Sequence, residues 1–363
     1  MKSENKLNEA KIALDAIIKK SRVHLYKPIQ IAEILFRDRT IGDIDLSDLE
    51  TYRNKSKKWR DDVSLQLLGR VYTSSARFQD DLFNENAMPP QLLSELGKEN
   101  RKNSGCVEAY IYNRFTNRHS QLSKALQICT KATTKTFDLK QFINAFWSEP
   151  GLKRSIDKVY EIIVYSLFST LVETLEMKIE ISLNNAFADV LSDFEDFAKT
   201  VMCLDLNTTT IKHDAKIFRV GVTNAADRGL DMYFNWGPAI QIKHLTLDVE
   251  LAKSIVEGIS SDRIVIVCKD VEKDVIVSLL TQIGWKSRIQ SVVTEQNLID
   301  WYEKALRGSH SNLLGERLLQ TMHNELENEF PSIGIFPPII ADRKYESVTL
   351  PKMWNTLVAN HKA

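Results

Sequence analysis

The stretch Arg228-Gly229-Leu230-Asp231-Met232-Tyr233-Phe234-Asn235-Trp236-Gly237-Pro238-Ala239-Ile240-Gln241-Ile242-Lys243-His244 decides the fold. Gly237-Pro238 breaks a strand-like run in two, which predicts a pair of strands over 229–236 and 238–245 meeting at that turn. Side chains alternate across a strand with a period of two. Gln241 and Lys243 therefore share one face of the second strand, while Ile240 and Ile242 occupy the other and mark it as embedded in a core. Asp231 lies on the first strand, so its carboxylate can converge on the same patch. An acid, an amide oxygen and a lysine beside an apolar strand pair form a candidate cation site with an adjacent ammonium. That set suits phosphodiester hydrolysis, in which hard oxygen ligands hold Mg²⁺ and a lysine stabilises developing charge or positions the nucleophile. A lysine among apolar neighbours would be costly as a purely structural choice.

Upstream, Ile156, Val159, Ile162, Ile163, Leu167, Leu171 and Leu175 sustain a long helix that is apolar around much of its circumference, the mark of a buried helix. Met177, Ile179, Ile181 and Leu183 then alternate with Lys178, Glu180 and Ser182, predicting a half-buried strand. A helix from about 186 to 201 and a strand over 216–222 lead into the paired strands. Downstream the pattern predicts helices over 249–259, 273–281, 296–306 and 312–329, with strands over 264–268 and 288–293 between them. The late strands are apolar on both faces, so the class is α/β, a mixed central sheet flanked by helices.

Residues 1–150 read as mainly helical, with helices over 7–20 and from 28 to 36 and shorter periodic pieces separated by polar turns. The boundaries expected are thus a helical N-terminal region over 1–150, an α/β core over 151–310, and a C-terminal helix and Pro-containing tail over 311–363 that packs on the core.

The 363 residues carry 48 basic and 48 acidic side chains and are 43% hydrophobic, too apolar for a disordered chain. Four separated cysteines suggest neither a disulfide framework nor a zinc site. The charged N-terminus and the lack of any membrane-length apolar run point to a cytoplasmic protein with no membrane partner. No phosphate loop, GxGxxG, GxSxG or HExxH motif occurs, which removes the commonest NTPase, dinucleotide, serine-hydrolase and zinc-protease readings.

Asp231, nine intervening residues and then Gln241-x-Lys243 resembles the PD-(D/E)xK nuclease signature. The wider wording resembles the HaeII family of type II restriction endonucleases through most of the chain, including Arg22 to Leu35, Val107 to Tyr112 and Arg228 to Asp231. Leu230 stands where the motif has Pro, and Gln241 replaces its acid, removing a negative charge, so a second carboxylate is needed. The resemblance points to a Glu on the preceding long helix, Glu161 or alternatively Glu173. Helical spacing leaves both open, and Glu161 is preferred for its apolar surroundings. The resemblance implies a Mg²⁺-dependent enzyme cutting double-stranded DNA at a short GC-containing palindrome, with a companion DNA methyltransferase. A palindrome in turn implies a homodimer. The rival readings are a repair or junction-resolving nuclease on the same core, and a non-catalytic DNA-binding protein with a decayed site.

Charge is locally uneven. Between 101 and 140, eight basic residues face only Glu108 and Asp138. Arg101, Lys102, Asn113, Arg114, Asn117 and Arg118 there, with Arg228 near the catalytic strands, are the candidates for DNA contact, because Arg and Asn match guanine and adenine edges. A solvated helix face would show the same run.

Overall fold

The computed structural model describes residues 2–71, 81–220, 230–272, 275, 288–331 and 338–355. Its N-terminal part is helical: α1 (Lys2–Lys20), α2 (Tyr26–Thr40), α3 (Lys55–Leu68), α4 (Pro90–Lys102), α5 (Cys106–Thr130) and α6 (Leu139–Ser148). Pro90 opens α4, where a missing N–H leaves no bond unmade. The Asp138 carboxylate caps α6 by accepting the Gln141 N–H at 2.7 Å. The apolar helix foreseen upstream of the paired strands is α7 (Ile156–Thr174), buried along most of its length.

Then follow β1 (Lys178–Ser182), α8 (Ala188–Asp193), β2 (Thr210–Asp214), β3 (Ile217–Arg219), β4 (Met232–Phe234), β5 (Ala239–Leu247), α9 (Val249–Gly258), β6 (Ile264–Val271), β7 (Ile289–Thr294), α10 (Glu295–Arg307), α11 (Ser311–Glu329) and α12 (Pro338–Asp342). The central sheet has the order β3-β4-β5-β6-β7, antiparallel through β5 and parallel from β5 to β7. It is the mixed sheet read from the sequence. Ile240, Ile242, Val265 and Val267 on one face pack with α7, α10 and α11. Ile264, Ile266 and Cys268 on the other pack with α9, so β6 is buried on both faces, as a parallel strand should be.

Two expectations need correction. The segment 177–183 is not half-buried: among the described residues β1 pairs only with β2, which the sequence reading missed, and most of both strands is exposed. Its alternation is real, but no layer of the described residues covers the apolar side. The helix expected over 186–201 is broken into α8 and short turns extending through Met202. The helix expected over 273–281 lies largely outside the described residues.

A separate apolar cluster joins α1 to α4 and the first half of α5 with Ile340, Tyr345 and Trp354. The last described residues thus pack on the N-terminal helices, whereas α11 packs on the sheet through Leu318, Met322 and Leu326. The division between the two clusters falls inside α5, between Phe115 and Leu122.

Candidate active site

Strand register builds the site. β4 and β5 pair Met232 with Ile240 and Tyr233 with Ala239, which sets Asp231 opposite Gln241. The connecting turn is closed by the Phe234 N–H on the Pro238 carbonyl at 2.9 Å. Gly237 has φ 121°, a conformation in which a side chain would be strained. Asp231 Oδ2 accepts Gln241 Nε2 at 2.6 Å and the Ile242 backbone N–H at 2.7 Å. The carboxylate therefore stands edge-on to β5 where β4 begins, in the position of the next ladder partner.

α7 supplies the groups on the other side. Glu161 is 4% exposed, and Lys158 Nζ bonds both of its oxygens at 2.7 Å. Burial pushes the Glu161 carboxyl up to about 7; the Lys158 ion pair opposes the shift and the Asp231 charge adds to it. Burial raises Asp231 as well, against the Ile242 N–H and the charges of Lys243 and Lys158. Two carboxyls raised by burial, the Asp231 charge adding to the shift of Glu161, form with the Gln241 amide an oxygen donor set that a hard divalent cation would stabilise. Among the described residues no group of three or more His, Cys, Asp or Glu gathers as a metal cluster, so neutral oxygens would have to complete such a site. Gln241 is buried and turns its amide nitrogen, not its oxygen, to Asp231.

Helical spacing left Glu161 and Glu173 open; of the two, Glu161 is the buried one, and its carboxyl feels the Asp231 charge. Glu173 lies toward the far end of α7, half-exposed and paired with Arg317 at 2.5 Å. Two residues escaped the sequence reading, Asp157 and Lys158, although Asp157-Lys158-x-x-Glu161 has the one-turn spacing that places side chains on one helix face. Burial acts to raise Asp157, but its contact with His244 Nδ1 and the charges of His244, Arg22 and Lys243 leave it below the usual range. His244 is half-buried. It lies 5.9 Å, ring to ring, from the exposed Trp147, over which Lys153 and Lys269 hold their ammonium groups at 4.4 and 5.1 Å.

The basic segment resolves unevenly. Arg118 is a correction: it is buried, and its guanidinium donates to the carbonyls of Ile18, Ser21 and Arg22, closing the end of α1. Arg101 pairs with Asp38. Arg114 lies over the Tyr110 ring at 5.0 Å and donates to its hydroxyl. Asn113 and Asn117 are exposed on α5, Lys102 lines a polar cleft with Lys344, and Arg228 lies outside the described residues.

A sequence model of the HaeII restriction endonuclease family matches residues 10–345. The chain belongs to that family. It is 56% identical over 343 residues to the type II restriction enzyme HaeII of Haemophilus aegyptius, covering 94% of this chain and 97% of that one. It is 56% identical over 326 residues to the type II restriction enzyme NgoBI of Neisseria gonorrhoeae, covering 90% and 92%. No solved structure matches. Among the described residues of this HaeII-family chain, no helix is long and apolar enough to cross a membrane.

Proposed function

We propose that this chain is a Mg²⁺-dependent type II restriction endonuclease of the PD-(D/E)xK kind. It hydrolyses phosphodiester bonds of double-stranded DNA at a short GC-containing palindrome, acts as a homodimer, and works in the cytoplasm beside a companion DNA methyltransferase. The restriction-endonuclease class follows from family membership and from relatives that match over nearly the whole chain. The observation that carries the catalytic reading is Asp231, fixed by two hydrogen bonds at the edge of β5, with the buried Glu161 of α7 near enough to feel its charge.

Asp231, Glu161 and the Gln241 oxygen would hold the metal. When bound, Mg²⁺ supplies an activated water and screens the phosphate. Lys243, whose positive charge is felt by both Asp231 and Asp157, is the ammonium available to stabilise charge developing on the phosphate. Lys158, paired with Glu161, neutralises that carboxylate before a metal arrives. Asn113, Asn117, Lys102 and Arg114 remain the candidates for DNA contact on the N-terminal helices, joined by Lys153, Lys269 and Trp147 near His244.

The test is a plasmid digest with and without Mg²⁺, with the fragment ends sequenced. Discrete fragments sharing one palindromic end sequence, lost in Asp231→Asn with the fold retained by circular dichroism, are expected. Cleavage only of branched or mismatched substrates would favour a repair nuclease. Intact plasmid under all conditions would leave a binding protein with a decayed site.

A further inference from the structure

Between α7 and β3 the chain leaves the body of the molecule as an arm, residues 175–216. Its framework is the β1–β2 pair, extended by the Leu183 N–H on the Thr209 carbonyl and the Ala215 N–H on the Met177 carbonyl, each at 2.9 Å. A two-stranded sheet of this kind is marginal in water unless another surface covers it. The helical turns it carries show Phe187, Val190, Phe194, Phe197, Met202 and Leu206 on one side, each 43–62% exposed. They line an open groove of about 850 Å³. Taking roughly 100 Å² of exposed area for each such side chain gives an apolar face on the order of 600 Å². That exceeds the few hundred Å² usual on a monomer and approaches the ~800 Å² that each partner contributes to a standard interface.

The charge of the arm argues against nucleic acid as the cover. Between 175 and 216 four lysines face eight carboxylates, and a net negative surface repels a polyanion. The arm joins the body at the C-terminal end of α7, just beyond Glu173, and at the start of β3, which pairs with β4.

We propose that the apolar face of the 175–216 arm is the surface through which two copies of this chain associate, by a two-fold contact of arm on arm. The choice of a second copy rests on the reading above that the enzyme cuts both strands as a pair. Because the arms carry like net charge, their association should tighten as salt is raised, whereas DNA binding should weaken.

Sedimentation equilibrium of the full chain tests this, with the double variant Phe187→Asp/Phe194→Asp and, separately, Val190→Asp. All three positions are exposed, and circular dichroism checks the fold. The wild type should be dimeric at micromolar concentration, and both variants should associate at least 100-fold more weakly. Amide hydrogen exchange of the wild type supplies a readout free of substitution: amides over 183–206 should gain protection as protein concentration rises. A folded variant that remains dimeric, or a dimer with no protection in the arm, overturns the inference and leaves the paired enzyme standing. A wild type that stays monomeric, its groove filled by its own chain or left open, also overturns it. If that monomer cuts both strands of a plasmid without pairing on the DNA, the paired reading falls as well.

Discussion

The juxtaposition of Asp231 and Gln241 was legible because strand alternation is a short-range rule: once the Gly237-Pro238 turn is placed, register follows and sets Asp231 opposite Gln241. Between Glu161 and Glu173 spacing alone did not decide, but the apolar neighbours that favoured Glu161 match its burial, whereas Glu173 is half-exposed against Arg317. Lys243→Ala should lower the single-turnover cleavage rate by roughly 10²–10³-fold, the usual loss of one well-placed electrostatic stabiliser, with DNA affinity changed little. An equal loss of binding and cleavage would make Lys243 a phosphate anchor instead. Gln241→Glu restores the motif's acid but exchanges a 2.6 Å donor to Asp231 for a second carboxylate. Without metal it should destabilise the fold by about 1–3 kcal/mol, and Mg²⁺ should recover more of that loss than it adds to the wild type. Thermal melts with and without Mg²⁺ decide this.

Elements were read best where periodicity and burial agree, as in α7, β5 and β6, and worst in the arm, where Ile179 and Ile181 alternate as a covered strand would but meet no covering layer among the described residues. The destination of the tail was also hidden, because it depends on polar contacts distant in sequence. Arg343 donates to both oxygens of the buried Glu33 at 2.6 and 2.9 Å, and Tyr345 donates to the buried Glu108 at 2.7 Å. Glu108 also accepts hydrogen bonds from Arg39 Nε and Nη2, at 2.8 and 2.9 Å. These bonds tie the chain after α12 to α2 and α5. Removing one partner of a buried pair leaves an uncompensated charge, so Arg343→Met should cost about 3 kcal/mol. Arg317→Met, which breaks the half-exposed pair with Glu173, should cost less than about 1 kcal/mol. Urea midpoints of the two variants should therefore separate clearly, and similar midpoints would mean that the tail contributes little to the fold.

Across the whole molecule, the two apolar clusters meet at residues 23–25, with Val23 in the sheet-side cluster and Leu25 in the helical one. His24 lies between them, 5.5 Å ring to ring from His119, with Phe330 of the sheet side and Phe115 of α5 nearby. Burial depresses His24 to about 3, helped by the charges of His119 and Arg70, and burial depresses His119 to about 4. Both are therefore neutral in the fold, while the unfolded chain protonates them near 6.5. Stability should be fully present above pH 6.5 and should fall as pH drops toward 4, by roughly 2 kcal/mol per histidine at pH 5. Glu161 acts in the opposite sense: its raised carboxyl takes up a proton in the fold first, so its contribution improves as pH falls from 7 toward 4.5. Comparing urea midpoints of wild type and His119→Phe from pH 8 to pH 5 cancels that contribution. The variant should lose less stability than the wild type below pH 6.5, with the difference growing to about 2 kcal/mol at pH 5; parallel curves would show that the junction between the two clusters does not sense pH.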